Sequence, residues 1–195
     1  GNINPEMVGQ RRRVCVLFSD IRSFTTRSES EPPEAIISLL NRYFNEMAAV
    51  IHSHGGTVDK FIGDGMMVFF GAPNHQDNPA QQAFDAAQKM LQRLDNLNLK
   101  LKEEGIEEIK IGIGIHLGEA VVGHVGSDTR HEYTVIGDTV NLAARLEGRT
   151  KELGYPIVCS ASVAKVLDSS AKLISLGETP IKGRAAAEVF GWKPE

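Results

Sequence analysis

Two aspartates occupy places where the chain could hold a metal ion. Asp20 closely follows the apolar run 14–18, which is typical of a strand buried on both faces, and Asp64 lies between two other apolar runs, in Gly63-Asp64-Gly65. Hard cations such as Mg²⁺ prefer carboxylate oxygens, and ligands often bind where such strands end. Two carboxylates side by side would make a two-metal site for phosphate chemistry. The alternatives are a turn or capping aspartate at Asp20 and a plain hairpin turn at Asp64.

Three more polar side chains stand out from their surroundings. Lys60 lies inside a predicted strand, where lysine is uncommon, four residues before Asp64. Asn141 and Arg145 are one helical turn apart, so they share one face of a predicted helix. The backbone amides of the turn after Asp20 could bind phosphate oxygens. Simpler interpretations exist for the three side chains: Lys60 is a solvated lysine, Asn141 caps a helix and Arg145 is a surface arginine.

Several common nucleotide-binding and metal-binding motifs are incomplete in this sequence. Gly118 and Gly123 have the spacing of a phosphate-binding loop, but His124 occupies the position that requires lysine. His131-Glu132 lacks the second histidine of a zinc protease, and no dinucleotide fingerprint is present. The six histidines are scattered, and we assign none of them to a site.

The elements that carry these residues alternate irregularly between strands and helices. Within one predicted strand, isoleucines alternate with Gly112 and Gly114, so one face is bare backbone that a neighbour can approach closely. Strands are predicted at 14–18, 57–62, 66–70, 109–117, 120–125 and 133–136, and helices after Pro33, at 77–102 and at 140–150. The remainder contains short strands and one more helix. This pattern predicts an α+β domain with one layered sheet.

Composition narrows the class of protein further. The 195 residues fit one domain, and 42% hydrophobic with 24% charged residues is normal for a globular protein. The net charge of −4 argues against a nucleic-acid partner and against direct contact with an anionic membrane. Cys15 and Cys159 lie in apolar runs and are interpreted as small buried hydrophobes. We expect residues 1–10 to be a linker or a cloning remnant and residues 11–195 to form the domain.

Three segments, in order, closely resemble the class III adenylyl and guanylyl cyclase family. They are FSDIRSFT at 18–25, DKFIGDG at 59–65 and TVIGDTVNLAAR at 134–145, and the match in order and spacing extends from residue 13 to about residue 192. The resemblance implies a ferredoxin-like βαββαβ core, similar to the polymerase palm, with a mainly antiparallel sheet and flanking helices. It also implies a head-to-tail homodimer.

The resemblance assigns the metal and phosphate contacts to particular residues. Asp20 and Asp64 correspond to the two metal-binding aspartates, and the carbonyl of Ile21 to an additional metal ligand. The triphosphate-binding turn corresponds to Ser23, Phe24 and Thr25. Lys182 corresponds to the lysine that meets the terminal phosphates.

The resemblance also assigns the residues that meet the nucleoside. Lys60 and Thr134 correspond to the pair that reads the adenine edge, Asn141 to the residue that orients the ribose, and Arg145 to the arginine that stabilises the transition state. Many members have aspartate where Thr134 stands, and the threonine is similar to the bacterial and soluble bicarbonate-responsive subgroup. Members that read guanine have glutamate and cysteine at the two positions, so Lys60 with Thr134 indicates ATP. A second departure is Ser23, where the family usually has glycine.

The sequence therefore predicts an adenylate cyclase that forms 3′,5′-cyclic AMP and pyrophosphate from ATP, using two divalent cations, Mg²⁺ or Mn²⁺, at a homodimer interface. We expect it in the cytoplasm, where an upstream regulatory domain is compatible with the family. The alternatives are a guanylate cyclase, a cyclase-like module that binds nucleotide without catalysis, and an unrelated phosphate-binding domain.

Overall fold

A computed structural model describes residues 9–179 and 187–195, and one mixed sheet forms its centre. Five helices and eight strands are found in these two ranges. The strands are β1 (Gln10–Ile21), β2 (Thr57–Ile62), β3 (Gly65–Phe70), β4 (Ile111–Gly126), β5 (His131–Ile136), β6 (Ile157–Ser160), β7 (Ile174–Thr179) and β8 (Ala187–Trp192). The helices are α1 (Phe24–Ser30), α2 (Pro33–Ser53), α3 (Pro79–Glu103), α4 (Asp138–Leu153) and α5 (Ala161–Ala164).

The order of the strands confirms the predicted fold class. Along the sheet the order is β2-β3-β1-β4-β6-β8-β7, and β5 pairs with the far half of β4. Every pairing is antiparallel except that of β4 with β6. The first four strands of this path, with α2 and α3 as the connections, make the βαββαβ core. β1 therefore lies at the centre, hydrogen-bonded to β3 on one side and to β4 on the other.

The residues of β1 alternate between two cores because successive side chains of a strand point to opposite faces. Cys15 and Leu17 join the large core that α2 and α3 cover. Val14 and Val16 join the smaller core on the other face, together with Ala143 of α4. The same period places Asp20 on the face that α4 covers. Cys15 and Cys159 are buried free thiols, as predicted.

The bare face of β4 confirms the prediction drawn from its glycines. A Cβ atom at Gly114 would collide with the backbone of Ala143 and Glu147, and one at Gly112 would collide with the side chains of Thr150 and Glu147. The glycines thus allow α4 to lie directly against the backbone of β4. This close packing fixes the height of α4 above the sheet.

Two strand boundaries and one helix differ notably from the prediction. Segments 109–117 and 120–125 form one strand, because β1 pairs with β4 continuously from Gln10 to Ile21 and carries the ladder past Gly118. β1 begins at Gln10, inside the predicted linker. Helix α1 was not predicted, since its sequence has no apolar stripe and none of its residues is buried. Among the described helices, none is long and apolar enough to cross a membrane.

Candidate active site

Asp20 and Asp64 converge on one backbone amide. The N–H of Ile21 donates to Asp20 Oδ1 at 3.0 Å and to Asp64 Oδ2 at 3.1 Å, although the two aspartates are far apart in the chain. Asp20 reaches this point at the end of β1, and Asp64 reaches it from the turn between β2 and β3, the strand that pairs with β1. Gly63, with φ of 62°, makes this turn possible. Asp64 is therefore more than a hairpin residue.

The electrostatics of this pair fit a cation. Burial, the hydrogen bond to Asp64 and the charges of Asp64 and Glu147 together raise the pKa of Asp20 to about 8, against the opposing effect of the Ile21 amide. The carboxylates thus repel each other in a partly desolvated place, and a divalent ion would relieve that repulsion. Across 9–179 and 187–195 no group of three or more histidine, cysteine or acidic side chains is placed to hold a metal ion, so the case for a cation here rests on the pair Asp20 and Asp64.

Glu147 is a third carboxylate at this site that sequence reasoning missed. It extends from α4 over Gly112, which lies opposite Asp20 in the β1–β4 pairing. Burial raises the pKa of Glu147 to about 7, the positive charge of Arg22 opposes this, and the charge of Asp64 adds to it. The only signal in the sequence was Gly112 itself, and the register that brings Gly112 to Asp20 is a property of the folded sheet.

The turn after Asp20 begins a short helix. Ser23 has φ of 55° and ψ of 30°, and it is the only residue other than glycine with positive φ in the described chain. The first helical bond of α1 runs from the Arg27 amide to the Ser23 carbonyl, which leaves the preceding amides without an acceptor in the helix. Phe24 packs against the large core, whereas Thr25 is exposed. The amides of the predicted triphosphate turn thus follow directly after Ile21, whose own amide binds both aspartates.

Arg27 fixes the position of α1. Its guanidinium pairs with Glu31 at 3.0 Å and donates to the backbone carbonyls of Glu107 and Glu108. The side chain is only 9% exposed, so these contacts anchor the helix to the segment that precedes β4.

In the structure the hydrogen-bond partner of Thr134 is Asp59, and not Lys60. The Thr134 hydroxyl is the donor in a 2.5 Å hydrogen bond to Asp59 Oδ2, and Thr134 is only 8% exposed. Lys60 is exposed, next to a break in the β2–β3 register between Val58 and Lys60. Asp59 is the residue that sequence reasoning missed here, although it stands at the head of the matching segment 59–65.

Asn141 and Arg145 lie on α4, on a different face from the one that packs on the sheet. Asn141 is exposed and Arg145 is half-buried. The residues of α4 buried against the sheet are Thr139, Leu142, Ala143, Leu146 and Thr150. Asn141 and Arg145 therefore lie off the face of α4 that meets the sheet, and Lys182 lies outside the described residues.

Comparison with known proteins gives one consistent family. The model described as "Adenylate and Guanylate cyclase catalytic domain" matches residues 7–193. "Adenylate cyclase 1" of Rhizobium meliloti is 37% identical over 177 residues, which are 91% of this chain and 27% of that protein. "Adenylate cyclase" of Anabaena cylindrica is 41% identical over 160 residues, or 80% of this chain and 31% of that protein. The chain thus spans about a third or less of the curated relatives it matches.

Solved structures of both kinds of cyclase resemble this fold. The adenylyl cyclase CyaB from P. aeruginosa has a TM-score of 0.88 and 35% identity, and the match covers 96% of this chain and 97% of that one. The guanylyl cyclase Cya2 has a TM-score of 0.85 and 36% identity, with 94% and 92% covered. The two similarities are nearly equal, so similarity of the whole chain does not distinguish between an adenine and a guanine nucleotide as the substrate.

Proposed function

Because the chain belongs to the adenylate and guanylate cyclase catalytic domain family, we propose that it is an adenylate cyclase that forms 3′,5′-cyclic AMP and pyrophosphate from ATP at an interface between two copies. The convergence of Asp20 and Asp64 on the Ile21 amide carries the proposal. It supplies the acidic pair that two-metal phosphoryl transfer uses, at the two positions that the sequence resemblance assigns to metal-binding aspartates.

Catalytic domains of this family are metal-dependent, and we propose two divalent cations, Mg²⁺ or Mn²⁺, in each site. Asp20, Asp64 and the Ile21 carbonyl would hold them, since all three supply the oxygen ligands that such cations prefer. When bound, the cations would lower the pKa of the ribose 3′ hydroxyl and offset charge on the leaving pyrophosphate.

The remaining roles belong to side chains and amides of the chain itself. The amides of Ser23, Phe24 and Thr25 would bind the triphosphate, and Lys182 would meet its terminal phosphates. Asn141 would orient the ribose so that its 3′ oxygen faces the α-phosphate in line. Arg145 would meet the negative charge that develops there, a contact whose loss typically costs about 10²- to 10³-fold in rate.

The choice of adenine rests on Lys60 and Thr134. Lysine only donates hydrogen bonds, which suits the N1 acceptor of adenine and not the N1–H of guanine. Two of the relatives are named adenylate cyclases, which favours the same choice.

The test is a product assay at several protein concentrations. The purified protein is incubated with ATP or GTP and Mn²⁺, and cyclic nucleotides are separated by chromatography. We expect cyclic AMP that rises faster than linearly with protein concentration, because two copies build each site, and a loss of about 10²-fold or more in Asp64→Asn. Asp77→Asn makes the same change of charge at an exposed side chain and should retain full activity.

Other products would overturn parts of the proposal. Cyclic GMP as the main product would keep the cyclase and reject the adenine assignment. Nucleotide binding with no cyclic product at any concentration would instead indicate a cyclase-like module without catalysis.

A further inference from the structure

The contact between Asp59 and Thr134 joins two distant parts of the sheet. Asp59 lies on β2 and Thr134 on β5, 75 residues later, and their side chains meet at 2.5 Å between Oδ2 and Oγ1. Asp59 is the extra residue at the break in register between Val58 and Lys60. The bulge turns its side chain toward β5 rather than into the ladder with β3.

The direction of this hydrogen bond is fixed by chemistry. A carboxylate accepts hydrogen bonds and has none to donate, so the hydroxyl proton of Thr134 must point at Asp59. The second oxygen, Asp59 Oδ1, is buried and has no hydrogen-bond partner in the part of the chain that the structure describes. Thr134 is therefore the donor to Asp59, and turning its proton elsewhere would leave a partly buried carboxylate, with one oxygen already unpaired, without this hydrogen bond.

The consequence is that Thr134 presents only lone pairs to a ligand. Position 6 of adenine carries an amino group, which donates, whereas position 6 of guanine and hypoxanthine carries an oxygen, which accepts. A hydroxyl whose proton is already engaged matches the amino group and opposes the oxygen. A free threonine hydroxyl would rotate to suit either one.

We propose that Asp59 is a positioning residue that sets the choice of purine by holding the Thr134 hydroxyl as an acceptor. The inference rests on the proposed function, which places Thr134 at the adenine edge. Asp59 does not contact the base itself. It acts through Thr134, whose hydroxyl it restricts to accepting a hydrogen bond from the base.

The experiment compares Asp59→Asn with the wild-type chain on ATP and inosine triphosphate. The inosine base differs from adenine only at positions 1 and 6, so it isolates this edge. The asparagine amide can donate to Thr134 Oγ1 and release its proton for the inosine oxygen. We expect the ratio of kcat/KM for ATP to that for inosine triphosphate to fall about 3- to 10-fold.

A double-mutant comparison separates this role from a structural one. Thr134→Val removes the hydroxyl and should lower the same ratio, and Asp59→Asn added to it should have no further effect on the ratio, because the two residues act through one hydroxyl. Equal loss of both substrates in Asp59→Asn, or an additive effect in the double variant, would overturn the proposal. Asp77→Asn is the matched control for charge, and Asp59→Ser replaces Asp59→Asn if the latter does not fold.

Binding measurements distinguish this inference from the cyclase proposal. Calorimetry with the non-cleavable α,β-methylene triphosphates of adenosine and inosine reports the same preference without catalysis. A preference that disappears in Asp59→Asn supports the inference even if no cyclic product forms. A wild-type cyclase whose preference is unchanged in the variant refutes the inference alone, and the absence of binding to both analogues refutes both proposals.

Discussion

Ser23 carries a backbone conformation that L-residues rarely adopt. Its φ of 55° lies in the left-handed region, which costs an L-residue about 1–2 kcal/mol. The Ser23 side chain makes no capping hydrogen bond that would offset this cost. Glycine, the usual residue of the family here, adopts this conformation freely. The turn therefore keeps its geometry with serine, at some cost in stability.

Two substitutions at this position test that cost. Ser23→Ala removes the hydroxyl and retains the strain, whereas Ser23→Gly removes both. We expect the free energy of unfolding of Ser23→Gly to exceed that of Ser23→Ala by about 0.5–1 kcal/mol, because relief of strain outweighs the greater freedom of unfolded glycine. Urea denaturation measures the difference. An alanine variant at least as stable as the glycine variant would show that the turn is unstrained.

At the scale of elements, the packing of α4 against Gly112 and Gly114 of β4, called the seam below, positions the proposed ribose and transition-state residues. The bare glycines of β4 set how near α4 lies to the sheet, and α4 carries Asn141, Arg145 and Glu147. A change at the seam should therefore act on both stability and rate. Such a substitution should have both effects although it replaces no residue that is proposed to contact the substrate.

Gly114→Ala places a methyl group against the backbone of α4. Packed backbone cannot move aside as a flexible side chain does, so we expect a loss of about 1–3 kcal/mol in the free energy of unfolding, together with lower cyclase activity. The matched control is Gly148→Ala, on the exposed side of α4 with no neighbour within 4 Å. It should be stabilised by about 0.5–1 kcal/mol, since alanine favours helix. Equal effects of the two substitutions would contradict close packing at the seam.

At the scale of the whole molecule, one chain holds the parts of a site without assembling them. Asp20 and Asp64 meet beneath Glu147, while Asn141 and Arg145 lie on another face of α4. Several large apolar side chains are also exposed on β2, β4 and β5, namely Phe61, Ile62, Val121, Val125 and Ile136. Both features favour a second copy that completes the site, with the acidic residues from one chain and Asn141 and Arg145 from the other.

Mixing two inactive variants tests this arrangement. Asp20→Ala lacks one of the acidic residues and Arg145→Ala lacks the arginine, so a mixed dimer has one intact site. Random exchange of equal amounts should restore about a quarter of the wild-type activity, because half of the dimers are mixed and each has one working site of two. Cyclic AMP production measures the rescue, and differently tagged chains verify exchange.

The control mixes Asp20→Ala with Asp64→Ala. Both substitutions remove acidic residues of the same set, so no mixed dimer contains an intact site and no rescue is expected. If exchange is demonstrated and the first mixture stays inactive, the site is not shared between chains.

The sequence by itself determined the family, the α+β class and most elements, because hydrophobic period and three ordered motifs are local properties of the chain. It also named Asp20 and Asp64. Only the tertiary structure decided that these two meet, because their encounter depends on the pairing of β1 with β3.

Asp59 and Glu147 were found only in the folded chain for the same physical reason. Asp59 reaches Thr134 through a bulge and a strand 75 residues away, and Glu147 reaches the aspartates because Gly112 leaves room opposite Asp20. Register, bulges and close backbone packing arise from contacts between distant segments, and no local pattern of residues encodes them.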